Sequence, residues 1–262
     1  MSKSNELIMV MPSYAFKKAV EQIEDPMQRY EEVRTMYYSY MNTPGSVAMV
    51  ERDKAEKDTS LLQPIPYAVI YHMDLDNVKE FTFDELAKNI YVLCYRRGSE
   101  GGESRLHNAV SIGFGGHINF EDVQEAMLDW PDSNPFTHCV QRELLEELNI
   151  KCGIAPDTVL STGTVFYDPS SEVSSLHICE AVFFCVNYKD GITANESCIK
   201  QLEWLSLHDL MTGNQEDMES WTQNIIIYMR NALEHANYSM LEQAKRDKQA
   251  KRDKQEVDPT EP

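Results

Sequence analysis

Three glutamates, Glu143, Glu146 and Glu147, fall close together in the run Arg142-Glu143-Leu144-Leu145-Glu146-Glu147-Leu148. On a helix these positions are related by i, i+3 and i+4, so the three carboxylates share one face. Like charges stacked in that way destabilise a helix. A hard divalent cation set against them reverses the sign, because Mg2+ and Mn2+ take oxygen ligands and offset the mutual repulsion. Taken alone, such a cluster is also what an ordinary solvated helix displays. Leu144, Leu145 and Leu148 give the helix its apolar stripe, and Arg142 reaches Glu146 at i+4. We expect the acidic face, Glu146 and Glu147 included, to be exposed.

The elements that must position this helix can be read on either side of it. Upstream, Ala109 to Ile112 reads as a strand entering the glycine-rich turn Gly113-Phe114-Gly115-Gly116. Cys139 to Leu148 reads as the helix itself, with Asn134 and Pro135 suited to a cap and a first turn. Pro66 to His72 and Ile90 to Arg96 are strand candidates rich in Tyr, Val and Ile, with a loop from Arg97 to Asn108 after the second. Thr158 to Tyr167, Leu176 to Tyr188 and Ile199 to Leu207 are β-like, and Trp221 to His235 is a final helix. Near the N-terminus, Leu7 to Met11 predicts a strand and Ala15 to Met41 a helical stretch broken at Asp25-Pro26. Its tyrosines Tyr37, Tyr38 and Tyr40 are expected to pack against the main body. Met49 to Gln63 is polar and reads as a connection. Residues 244 to 255 are the hexapeptide AKRDKQ written twice, a solvated tail that is frayed helix or disordered.

Composition narrows the partners. The 262 residues carry a net charge of −19, and residues 239 to 262 hold six basic and six acidic side chains, so the whole excess belongs to residues 1 to 238. An acidic body repels a phosphate backbone, which excludes a general binder of duplex nucleic acid and suits a protein that holds cations. No apolar run has the length of a membrane span, and Met1 to Asn5 lacks the layout of a secretory signal, so we expect a cytoplasmic protein. The six cysteines stand singly, without metal-site or redox spacing, and read as reduced and mostly buried.

With the glycine turn and the Arg-Glu-x-x-Glu-Glu helix together, the chain resembles the Nudix hydrolase superfamily, whose box reads G-x5-E-x7-R-E-U-x-E-E-x-G-U with U a bulky apolar residue. Its second half matches at Arg142, Glu143, Leu144, Glu146, Glu147 and Ile150, with Asn149 in place of the glycine. Asn is the residue that best replaces glycine at a left-handed helix end. In the first half, Gly115 leads to Glu121 at the box spacing and Gly116 to Asp122, and we prefer the second register. The seven-residue spacer has grown to 19 or 20 residues, which we expect to loop out before the helix. Around the box, the resemblance covers roughly residues 64 to 236, with the pair Arg96-Arg97 and the run Glu203-Trp204-Leu205-Ser206-Leu207 in their usual order.

The resemblance implies an α/β/α sandwich with a mixed sheet over residues 64–238; outside it we expect an N-terminal α/β extension over 1–63 packing on the core and a charged tail over 239–262. It also implies hydrolysis, dependent on Mg2+ or Mn2+, of a diphosphate linking a nucleoside to a further group X. The metal ligands would be Glu143, Glu146, Glu147 and the carbonyl of Gly116, with Arg142 orienting the carboxylates. Glu196 would be the general base, with Glu203 and Glu180 as rivals, and Arg96, Arg97 and Arg105 would bind phosphate. A homodimer is open to such a fold. The alternative is a Nudix-like module that binds or senses a nucleotide without cleaving it.

Overall fold

The computed structural model describes residues 5–78, 80, 82–98, 108–129, 134–150, 160–170, 173–186 and 191–236, with backbone only for 160–163. The fold is organised by β3 (Leu61–Met73), thirteen residues long and almost wholly buried. It runs parallel to β8 (His177–Cys185), in register from Gln63↔His177 to Tyr71↔Cys185. On its other flank it is antiparallel to β1 (Leu7–Pro12), then β6 (Gly113–Phe114), then β4 (Ile90–Arg97). β4 in turn carries β5 (Val110–Ser111) and β9 (Ile199–Ser206), and β7 (Leu160–Phe166) borders β8. The sheet is therefore mixed. Pro64 and Pro66 stand inside β3 at alternate positions, and the Pro66 carbonyl faces Gly115 rather than β8. Their missing N–H groups thus fall on the flank away from the parallel ladder.

Both faces of the sheet are covered, which is why β3 and β8 read as nearly continuous apolar runs. One face, with Tyr67, Val69, Cys179, Ala181 and Phe183, packs under α7 (Leu207–Thr212) and the helix of residues 220–236, here α8. The opposite face, with Ala68, Ile70 and Val182, packs against Phe136, Val140, Leu144 and Leu148 of α6 (Pro135–Leu148). Beside α6 on that face, Leu62 and Ile178 meet Phe16 of α1 (Tyr14–Gln22) and Val33 and Tyr37 of α2 (Pro26–Asn42). This is the expected α/β/α sandwich. No helix among the described residues is long and apolar enough to cross a membrane.

Several local signals act as read. Asp25 accepts from the Gln28 N–H and Pro26 opens α2, while Asn134 accepts from the Thr137 N–H and Pro135 opens α6. The stretch 49–63 departs from expectation. It holds β2 (Ala48–Glu51), α3 (Arg52–Ala55) and the start of β3, because β2 finds a partner in β1 from Leu7↔Glu51 to Val10↔Ala48. Cross-strand pairing outweighs the polar composition there. The sequence reading also lacks α4 (Phe83–Asn89), a short helix capped by Thr82.

The spacer does not simply loop out. Residues Phe120–Leu128 form α5, started by a reciprocal capping box in which the Asn119 side chain accepts from Asp122 N–H and the Asp122 carboxylate accepts from Asn119 N–H. Residues 130–133 of the spacer, the end of the Leu176 to Tyr188 stretch and the whole repeated tail lie outside the described residues.

At the far end of α6, Asn149 takes a left-handed conformation, φ 52° and ψ 28°. The Asn149 and Ile150 N–H groups return to the Leu145 and Leu144 carbonyls. A residue that has a Cβ but no short polar side chain pays a steric penalty in this conformation, and glycine pays none. Asn149→Ala is expected to lower stability by about 1 kcal/mol in urea denaturation, and Asn149→Gly to match or exceed the parent. Equal midpoints for Ala and Gly would show that the left-handed turn is not what holds the helix end.

Candidate active site

Two glycines bring α6 down onto the sheet. A Cβ at Gly115 would lie 1.9 Å from the Pro66 carbonyl, and a Cβ at Gly116 would lie 2.3 Å from Glu143 Oε1. Only hydrogen fits at Gly115, against backbone, and at Gly116 a methyl would push the Glu143 carboxylate aside. The turn that carries them is also held from the N-terminal side, where Met9 N–H donates to the Ile118 carbonyl at 2.8 Å and Asn119 Nδ2 donates to Glu6. His117 Nε2 donates to Gln63 Oε1 at 2.7 Å. Its imidazole is held well below the ordinary range by burial first, and then by the charges of Arg52 and Arg142 and by neighbouring His177, so it is a neutral packing group.

Arg142 gathers the site. Its Nε and Nη2 both reach the Asp122 carboxylate at 3.0 Å, and Nη2 also donates to the His117 carbonyl at 2.9 Å. Nη1 turns to the other side, toward Glu143 at 2.7 Å and Glu146 at 3.4 Å. Burial alone would lower the Arg142 guanidinium, but the Asp122 hydrogen bonds and the Glu143 charge raise it instead. Asp122, 2% exposed, is the residue that closes this arrangement from α5.

The three glutamates sit in different surroundings. The Glu146 side chain is half exposed and that of Glu143 only 13% exposed, while Glu147 is buried. The expectation of an exposed Glu147 is corrected here: it lies on the same side of α6 as Leu144 and Leu148, so it faces the sheet. Burial pushes the Glu147 carboxyl well up, with Glu143 and Glu196 adding repulsion and Arg97 and the Gly115 N–H opposing. Glu143 is likewise raised, by burial first. Glu147 Oε2 is buried without a hydrogen-bond partner.

Glu196 reaches the same helix from the segment before β9. Asn195 donates from its backbone N–H to the Glu147 carbonyl and from Nδ2 to the Glu146 carbonyl, both at 2.8 Å, satisfying carbonyls of the last turn of α6. The Glu196 carboxylate accepts from the Cys198 thiol at 3.2 Å and lies close enough to raise both Glu143 and Glu147. The two rivals are placed differently. Glu180 is buried on β8 and accepts from the Tyr37 and Tyr38 hydroxyls, each at 2.7 Å, and Glu203 is exposed on β9 opposite Cys94.

The arginines of β4 are already engaged. Arg97 forms an ion pair with Glu219, which also accepts from the Tyr67 hydroxyl, and Arg96 donates to the Asn108 carbonyl at 2.9 Å. Arg105 lies outside the described residues. Asp122 is the acid of the preferred box register, whereas Gln63 and Asn119 were not named as site residues from the sequence, although the spacing Asn119-x-x-Asp122 is a capping signature.

No group of three His, Cys, Asp or Glu side chains among the described residues is arranged as it stands to hold a metal ion. Glu143 and Glu146 are turned onto Arg142. The donor set nevertheless suits a hard cation, being carboxylate and carbonyl oxygen, with one buried carboxylate oxygen unpartnered and a glycine corner that leaves Glu143 room.

No family model matches the chain. Protein YmaB of Bacillus subtilis (strain 168) is 28% identical over 233 residues, which is 86% of this chain and 98% of that protein. Among solved structures, Tm1382, a putative Nudix hydrolase, superposes with a TM-score of 0.52 at 19% identity, over 87% of this chain and 100% of its own. The NUDIX domain of Shewanella oneidensis NrtR, solved with ADP ribose, gives a TM-score of 0.44 at 13% identity, over 66% of this chain and 88% of its own. With the layers, the glycine corner and the site helix arranged as described, the chain has the fold of the Nudix hydrolases.

Proposed function

We propose that this protein hydrolyses a diphosphate linkage in a nucleoside diphosphate joined to a further group X, working with Mg2+ or Mn2+. The observation that carries this reading is the buried, unpartnered oxygen of Glu147 beside the Glu143 carboxylate and the Gly116 corner. Charge balance supports it. Glu143, Glu146, Glu147 and Glu196 stand against Arg142 and Arg97, and each arginine is also shared with an acid outside that group, Asp122 or Glu219. The site is short of positive charge in a partly desolvated place, which favours a divalent cation.

Glu143, Glu146, Glu147 and the Gly116 carbonyl would hold the ion, and Arg142 would keep the carboxylates aimed. Bound there, the ion neutralises phosphate oxygens and lowers the pKa of a coordinated water. Glu196 would take the proton from the attacking water as its oxygen bonds to phosphorus and the bridging oxygen leaves. Arg96 and Arg105 would steer the phosphates in, and Arg97 would act from beneath by holding Glu147 and Glu219 in place.

Glu146→Gln and Glu147→Gln are each expected to reduce turnover by about a hundredfold or more while keeping the parent circular dichroism. The assay is release of nucleoside monophosphate from dinucleotides and nucleoside diphosphate sugars over a Mg2+ and Mn2+ titration. Parent-level turnover in both variants would remove the assignment, and binding of these compounds without release would leave the sensing module in its place.

Gly116→Ala gives a second, activity-independent check. The added methyl must displace the Glu143 carboxylate, so the rise in thermal midpoint that Mg2+ or Mn2+ gives the parent should be lost in the variant. An undiminished rise would show that Gly116 and Glu143 do not hold the ion.

A further inference from the structure

The helix inside the spacer, α5, is fastened to the site helix by two rungs of charge. Asp122, Glu125 and Asp129 are spaced by three and four residues, so they line one side of α5 and its C-terminal cap. Opposite them on α6 stand Arg142 and, one turn earlier, His138. Asp122 takes the arginine at 3.0 Å. Glu125 Oε2 lies 3.3 Å from His138 Nδ1, and Asp129 Oδ2 lies 3.4 Å from His138 Nε2. The imidazole is 10% exposed, its Nε2 is buried without a hydrogen-bond partner, and the two carboxylates reach it from the solvent side.

The two rungs differ in kind. A guanidinium keeps its charge at every relevant pH, whereas an imidazole changes charge between about pH 5 and pH 8. A neutral ring has one N–H and serves one of the two carboxylates, leaving the other against a ring lone pair. The protonated ring carries an N–H on both nitrogens and attracts the Glu125 and Asp129 carboxylates together. The charged groups facing it are those two from α5 and, along α6, Arg142, whose guanidinium is committed to Asp122 and Glu143. The two nitrogens point at different acids, so the cluster is a bridge between helices rather than a chelating site.

We propose that His138 is a positioning residue whose protonated ring clamps α5 onto α6, and thereby steadies the Asp122–Arg142 pair that aims Glu143 and Glu146. The clamp holds when the ring carries a charge and is released when the ring is neutral. Loosening α5 frees the residue that holds Arg142 from outside, so the order of the site helix follows the charge of a side chain that touches neither metal ligand nor substrate. This holds whether or not the site binds a metal, because it concerns the docking of one helix on another.

The experiment is hydrogen exchange on the full chain without metal or nucleotide, comparing protection factors for amides 121–128 at about pH 5.5 and about pH 8, either side of the histidine range. Amides 178–183 of β8 serve as internal reference. Protection of α5 relative to β8 is expected to fall about two- to fivefold at the higher pH in the parent, the worth of an exposed ion pair. It should stay level in His138→Gln and in the double variant Glu125→Gln, Asp129→Asn, which alters only exposed carboxylates. No fall in the parent, or the same fall in either variant, would overturn the proposal.

Discussion

The site depends on one guanidinium. Arg142 is attached to four groups on three pieces of the chain: Asp122 of α5, the His117 carbonyl of the glycine turn, and Glu143 and Glu146 of its own helix. Its planar fork of donors can serve acceptors on two sides at once, which a lysine ammonium cannot do in the same geometry. A partly buried cation with one partner removed is costly, so each of these pieces is held by the need to keep the others in place. The glycine corner, the cap of α5 and the acidic face of α6 form one unit for that reason.

The N-terminal residues belong to the same unit. β1 hydrogen-bonds to the turn through Met9, and Met9 packs with Ile118 of the turn and Cys139 of α6. Tyr37 and Tyr38 from α2 hold the Glu180 carboxylate of β8, and the buried Tyr37 phenol is pushed well up by its burial and by that neighbouring charge. Glu180 pairs across the sheet with Pro66, whose carbonyl touches Gly115. Both attachments arrive on the α6 face, so the first two helices and β1 bear on the corner where the cation ligands are proposed.

Legibility in the sequence followed the range of each interaction. The break at Asp25-Pro26, the cap at Asn134-Pro135, the left-handed Asn149 and the sharing of a helix side by Glu143, Glu146 and Glu147 are local, and each was readable from a few neighbouring residues. β2 was not, since the short run Ala48–Glu51, at the start of a polar stretch, becomes a strand only against β1, some forty residues earlier in the chain. α5 lay between these cases. Asn119 and Asp122 announce its start, but proline and asparagine later in the spacer drew the reading toward a loop. The burial of Glu147 could not be seen at all from spacing, because i, i+3, i+4 geometry places the three acids together without saying which edge of the group turns toward the sheet. Arg97 posed the same difficulty. Its partner Glu219 is more than a hundred residues away, on the segment that leads into α8.

That burial gives the three glutamates unequal tasks despite their similar positions. Glu146, half exposed, keeps its place through Arg142. Glu147 has given up its water for a Gly115 N–H and a distant arginine, and one of its oxygens has no partner. A carboxylate in that position is ionised at a cost, which a neighbouring cation removes and a neighbouring glutamate increases. Two such acids, Glu143 and Glu147, face each other across the glycine corner, with Glu196 brought up by the Asn195 hydrogen bonds to the same helix. The fold thus concentrates repulsion at one point and holds it there with contacts that lie outside the point itself: Asp122 through Arg142, Glu219 through Arg97, and Pro66 through Gly115. In a site maintained against its own electrostatics in this way, an added positive charge would relieve repulsion that the fold otherwise holds in place.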